Sequence, residues 1–170
     1  MKKFFITGVS GVGKSSVAEK LSQKGIYAID IDAVGGLCQW VDNDTLKIDQ
    51  WRSGMTNEWY QKHKYICYKE KLADLMSNYK DGVVVVGLPS NHYELLDLFD
   101  KVFLLQCKEE TFIKRLTERT NNNFGKHALE KENILSWYKN FETKMLERGA
   151  ISINADQPLI DVVDEISSKF

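Results

Sequence analysis

Short apolar runs alternate with longer amphipathic stretches from one end of the chain to the other. Lys3–Thr7, Ile26–Asp30, Val83–Gly87, Val102–Cys107 and Ile151–Asn154 have the length and the β-branched or aromatic content of strands. Between them the pattern predicts helices at Lys14–Lys24, Asn57–Tyr79, Tyr93–Phe99, Glu109–Thr120, Leu129–Arg148 and Leu159–Lys169, with Gly25 and Gly149 placed to stop the first and fifth. In the fifth, Ile134, Tyr138, Phe141 and Met145 recur every three or four residues and form one apolar stripe. Five strands separated by helices predict an α/β domain over residues 1–170: a five-stranded parallel sheet between two helical layers. Val83–Val86 is apolar on both faces, as a central strand must be. Two stretches fall outside the scheme, Asp30–Thr56 without clear periodicity and the polar Asn121–Lys126, and these are the expected movable parts.

The first predicted strand runs into Gly8-Val9-Ser10-Gly11-Val12-Gly13-Lys14-Ser15, and a helical pattern beginning Ser16-Val17-Ala18 leaves it. Two glycines, a lysine and a hydroxyl at these fixed offsets between a strand and a helix are what a phosphate-binding loop needs. Glycines allow the backbone to curl so that successive amide N–H groups face one anion, and the positive end of the following helix adds to that field. Lys14 is placed to reach the β and γ phosphates of a nucleotide and the Ser15 hydroxyl to ligate magnesium. The loop establishes nucleotide binding, not the reaction, because switches, motors and kinases all use it.

From this loop onward the chain resembles the short P-loop kinases: shikimate kinase, gluconate kinase and, more distantly, adenylate kinase. The second predicted strand ends in Asp30-Ile31-Asp32, matching the Asp-x-Asp of shikimate kinase at nearly the same distance from the loop lysine. The resemblance implies a three-layer P-loop NTPase fold with an acceptor-binding insertion at about 31–80 and a lid at about 119–128. It further implies that ATP and Mg2+ are bound, that Asp30 holds the metal through water and that Asp32 meets the acceptor hydroxyl. Oxygen ligands beside the loop suit magnesium, and a carboxylate beside an attacking hydroxyl can take or orient its proton. These kinases close an arginine-bearing lid over the transferring phosphate. Arg119 is the main candidate for that role, with Arg115 one turn earlier able to reach the same site or pair with a surface acid.

The expected insertion is dense in aromatics. Trp40 and Trp51 are candidates for a stacking wall or for a small local core, Trp59 for core packing with His63 and Ile66, and Arg52 for an anion clamp. After the third predicted strand, Gly87-Leu88-Pro89-Ser90-Asn91 stands where nucleoside monophosphate kinases carry an arginine and shikimate kinase a glycine triplet. Gly87 and Asn91 join the acceptor candidates, and the residues here favour hydroxyls or amides over a phosphate. The reading is transfer of the ATP γ-phosphate to a hydroxyl of a small acceptor. The alternatives are a nucleoside monophosphate kinase and a non-catalytic regulator that binds ATP. No Asn-Lys-x-Asp guanine signature follows Gln106-Cys107-Lys108, and no acidic residue ends the Val83–Val86 run, which speaks against a GTP switch and a motor.

Composition narrows the partners. A net charge of −1 over 170 residues provides no general attraction for nucleic acid or an acidic membrane, so anion binding must be local. Cys38, Cys67 and Cys107 have no paired spacing of a zinc or disulfide framework and are expected as reduced thiols. With no apolar stretch near the ~20 residues of a membrane helix, the expectation is a soluble, cytoplasmic protein.

Overall fold

The computed structural model describes residues 1–120 and 122–170, so Asn121 of the expected lid lies outside them. Its principal sheet consists of β1 (Lys3–Thr7), β2 (Ala28–Asp30), β6 (Val83–Val86), β7 (Lys101–Gln106) and β8 (Ile151–Asn154). All neighbours are parallel, in the order β2-β6-β1-β7-β8. The helices α1 (Lys14–Gln23), α3 (Lys69–Ser77), α5 (Glu109–Glu118), α6 (Ala128–Glu147) and α7 (Leu159–Ser167) flank it, giving the three-layer architecture of a P-loop NTPase. The β1 and β6 side chains alternate between two cores. Phe4, Ile6, Val84 and Val86 pack with α1, α5, α6 and α7, while Phe5, Val83 and Val85 pack with Leu72 and Met76 of α3. Burial on both faces explains why β6 reads as four consecutive valines.

The region between β2 and β6 departs from the sequence pattern. Asp30–Thr56 is not wholly irregular: it contains β3 (Cys38–Asp42) and β4 (Ile48–Asp49), joined by a turn in which the Asp42 carboxylate accepts from Asp44 N, Thr45 N and Thr45 Oγ. The single helix expected at Asn57–Tyr79 is instead α2 (Asn57–Lys62), β5 (His63–Cys67) and α3. β5 pairs antiparallel with β3, and that pairing overrides the helical periodicity. The spacing of Trp59 and His63 nonetheless reflects a real contact, because their rings stack at 4.2 Å. The β3–β5 register sets Cys38 opposite Cys67, both as free thiols. A second, three-stranded sheet, β4-β3-β5, thus stands beside the carboxyl end of β2. Between β6 and β7 lies α4 (His92–Leu95), extended by one 3-10 turn. No helix among the described residues is long and apolar enough to cross a membrane.

Candidate functional site

β1 delivers the chain into the glycine loop and α1 carries it away. Gly11 and Gly13 have φ of 87° and 108°, in the region that favours glycine. A Cβ on Gly11 would stand 2.7 Å from the Phe112 carbonyl oxygen, so α5 lies directly against the loop. Lys14 folds back over it, its Nζ donating to the carbonyls of Gly8 (2.7 Å) and Val9 (3.1 Å). Ser15 and Ser16 are exposed in the first turn of α1, which carries no acidic side chain to oppose an anion. Burial lowers the Lys14 pKa to about 8, while Asp32 and Asp30 act to raise it and Arg119 to lower it further. Residues far apart in sequence therefore share one electrostatic environment.

Asp30 ends β2, and one of its oxygens accepts from Asp32 N at 3.1 Å, which shapes the turn that follows. Asp32 opens onto the cleft, where Tyr65 Oη donates to its Oδ1 at 2.8 Å. Its carboxyl is raised above the usual range mainly by burial, with Asp30 adding to the rise and Tyr65 opposing it. Arg119 caps the end of α5 and donates through Nη2 to the Phe124 carbonyl, while its Nε is buried without a protein partner among the described residues. Arg115 has a different position. Its Nη1 donates to Val12 O (3.0 Å) and its Nη2 to Ala155 O (3.1 Å), tying the loop to the turn after β8 instead of pairing with a surface acid.

A cavity of about 740 Å³ extends from Ser10, Lys14 and Asp32 towards the second sheet and α6. Trp40 and Trp51 line it, as do Tyr60, Tyr65 and Phe124. Of the other expected acceptor residues, Arg52 is exposed and outside the lining. Gly87 makes room for Ile31, whose Cδ1 would lie 2.2 Å from an added Cβ. Asn91 brackets the Cys67 backbone, accepting from its N and donating to its O, each at 3.0 Å. Of that loop Leu88, Pro89 and Ser90 reach the cavity, and the Ser90 hydroxyl accepts from Tyr65 N.

Several contributors lie outside the residues that the sequence singles out. Tyr65 falls within the helix that the sequence pattern predicts, and its role depends on the β3–β5 pairing. Glu130, 1% exposed, accepts from Gly125 N (2.6 Å) and Tyr60 Oη (3.0 Å), while Tyr60 in turn accepts from Trp51 Nε1 (2.8 Å). Burial pushes the Tyr60 hydroxyl up to about 12, with Glu130 adding to the rise against Trp51, so it remains a donor. This buried chain of hydrogen bonds fastens the second-sheet region to the 122–130 segment. On α6, Asn133, Trp137, Asn140 and Lys144 also line the cavity. Their spacing of four, three and four residues was a legible second stripe beside the apolar one.

A family model described as AAA domain matches residues 5–156, from β1 to just beyond β8. The chain belongs to the AAA domain family. No curated protein sequence matches it. Among solved structures, this AAA domain is similar to a gluconokinase from Sinorhizobium meliloti 1021, with 19% identity, TM-score 0.56 and coverage of 96% of this chain and 88% of that one. It is similar to the shikimate kinase of Aquifex aeolicus vf5, with 16% identity, TM-score 0.57 and coverage of 99% and 95%. A third likeness is to a deoxyadenosine kinase from M. mycoides, with 14% identity, TM-score 0.56 and coverage of 98% and 97%. At these identities the likeness is one of fold.

Proposed function

We propose that the protein is an ATP-dependent phosphotransferase that moves the γ-phosphoryl group to a hydroxyl of a small molecule bound in the 740 Å³ cavity. The observation that carries this reading is the meeting of Lys14 and Asp32 in the lining at one end of that cavity, with Arg119 close enough to act on the ionisation of both. A nucleotide-binding switch needs the loop; it has no use for a carboxylate poised at the mouth of a second binding cavity. The kinases of similar fold support the reading, while their differing acceptors leave the choice of acceptor to this chain's own residues.

In this assignment the loop amides of Gly8–Ser16, with Lys14, hold the nucleotide phosphates, and the Lys14 ammonium and Arg119 guanidinium offset charge on the transferring oxygens. Asp32 orients the acceptor hydroxyl and takes its proton, a task suited to a carboxylate whose pKa is raised, with Tyr65 fixing its position. Arg115 holds the loop in shape. The Ser15 hydroxyl and the second Asp30 oxygen are hard donors that fit magnesium, which would shield phosphate charge. Among the described residues no group of three His, Cys, Asp or Glu could hold a metal ion by itself, so nucleotide and water would have to supply the remaining ligands. Residues 31–80 form the acceptor side, and 119–128 the lid. An ADP-release assay over a panel of alcohols, with mass spectrometry of the products, tests the proposal. One acceptor must gain a phosphoryl group; ATP binding without transfer to any would favour a regulatory protein.

A further inference from the structure

We infer that the acceptor is a nucleoside, an uncharged alcohol bearing a nucleobase, held between the aromatic wall of the second sheet and the amide-bearing face of α6. The inference rests on the proposed phosphoryl transfer and gives its acceptor a chemical class. Charge makes the first cut. Among the described residues lining the cavity the lysines and arginines are Lys14 and Lys144, against the carboxylates of Asp32 and Glu130. Lys14 belongs to the phosphate loop, Arg52 lies outside the cavity, and both terminal nitrogens of Arg115 are bound to carbonyls. A phosphate or carboxylate on the acceptor would therefore find Lys144 as the one exposed cation of the lining beyond the phosphate loop, opposed by Asp32, while Arg119 is already shared with Asp32 and the buried Glu130. Such a site selects against nucleotides and sugar acids.

Aromatic placement makes the second cut. Indole and phenyl rings enter from four separate segments: Trp40 on β3, Trp51 in the loop before α2, Phe124 before α6, and Trp137 on α6 itself. Trp51 and Phe124 already pack at 5.8 Å. Rings approaching from several sides suit a flat heterocycle, whose two faces both stack, better than a sugar, which has hydroxyls around its rim. The third observation concerns amides. The side chains of Asn57, Gln61, Asn133 and Asn140 line the cavity and make no hydrogen bond to other described residues; Gln61 and Asn133 take part only through their backbone carbonyls. A carboxamide offers a donor and an acceptor side by side, the complement of a base edge.

In the transfer, a hydroxyl oxygen of the nucleoside bonds to the γ-phosphorus and the bond from that phosphorus to the β–γ bridging oxygen breaks. The electron pair leaves with ADP, and the hydroxyl proton passes to Asp32.

The test is calorimetric titration of the full chain, with magnesium and the β,γ-imido analogue of ATP present. The titrants are purine and pyrimidine nucleosides, their 5′-monophosphates, gluconate and glucose. At least one nucleoside should bind ~10-fold or more tighter than its own monophosphate and either sugar, with quenching of tryptophan emission, and Asn133→Ala should weaken it by about tenfold at an unchanged unfolding midpoint. Tighter binding of a monophosphate or gluconate, equal binding of glucose, or no binding by any nucleoside overturns the inference. The proposed reaction fails separately. A nucleoside that binds but gains no phosphoryl group from ATP, by mass spectrometry, leaves the ligand class intact and removes the transfer.

Discussion

The phosphate end of the cleft and its acceptor end are built by different means. At the phosphate end the backbone makes the site: glycines at positive φ turn amides towards an anion, and side chains mostly fix that shape, as Arg115 does by bonding Val12 O and Ala155 O. At the acceptor end side chains make the site, contributed by β3, β5, the loop before α2 and α6, and joined by Glu130. A backbone site needs particular residues at fixed spacing and so leaves a pattern in the sequence. A side-chain site needs only that distant residues meet, which many sequences can achieve.

The largest effects should expose this contrast at the phosphate end. Lys14→Ala should lower phosphoryl transfer by ~10³-fold or more, and Asp32→Asn by ~10²-fold or more, at unchanged circular dichroism and melting temperature. Rates within threefold of wild type would remove either residue from the chemistry. At the acceptor end the corresponding change is one of stability. Glu130→Ala strips Tyr60 Oη, Gly125 N and, at 3.5 Å, Gly54 N of a buried acceptor and should cost about 2–3 kcal/mol in urea unfolding, with Glu130→Gln recovering part of it. A loss below 0.5 kcal/mol would mean that the two regions are held together by other contacts.

Two smaller effects concern protons. Tyr65→Phe removes the hydrogen bond that holds the Asp32 carboxyl down, so its pKa should rise further and the acid limb of the pH–rate profile should move to higher pH. An unmoved limb would place the titration elsewhere. Lys14 is charged below about 8 in the free protein, and phosphate favours the charged form. ATP affinity should therefore be full below that pH and weaken as pH rises through it, by at most ~10-fold per unit, a dependence that Lys14→Arg should abolish. Calorimetry across pH 6.5–9.5 reads this directly.

The same contrast explains what the sequence revealed. The sheet was legible because β1, β6 and β7 are buried strands with continuous apolar runs, and the loop because its spacing is demanding. Asp30 and Asp32 were legible through the likeness of their spacing to one kinase family. The strand His63–Cys67 was hidden because Trp59 and His63 carry a helical spacing that a strand start can also satisfy, and its pairing with β3 is a non-local contact. Tyr65 was lost with it. Glu130 looked like an ordinary first-turn acid of a helix, since nothing nearby in sequence announces the Gly125 and Tyr60 donors. Asn91 suited a ligand by chemistry, but its amide is engaged by the Cys67 backbone.

The Arg115 bridge also bears on the order in which the protein takes shape. The glycine loop lies within the first 16 residues, yet its flanking strand is paired with residues 83–86 and 101–104, and its carbonyl at Val12 is tied through Arg115 to Ala155. Synthesis runs from the amino end, so the residues of the nucleotide cradle are made before the strands and the turn that complete it. A nascent chain carries the motif long before it carries the pocket. Nucleotide therefore has its full binding partner only after the chain as far as Ala155 has folded, and its binding would stabilise that state over intermediates that lack the Arg115 bridge.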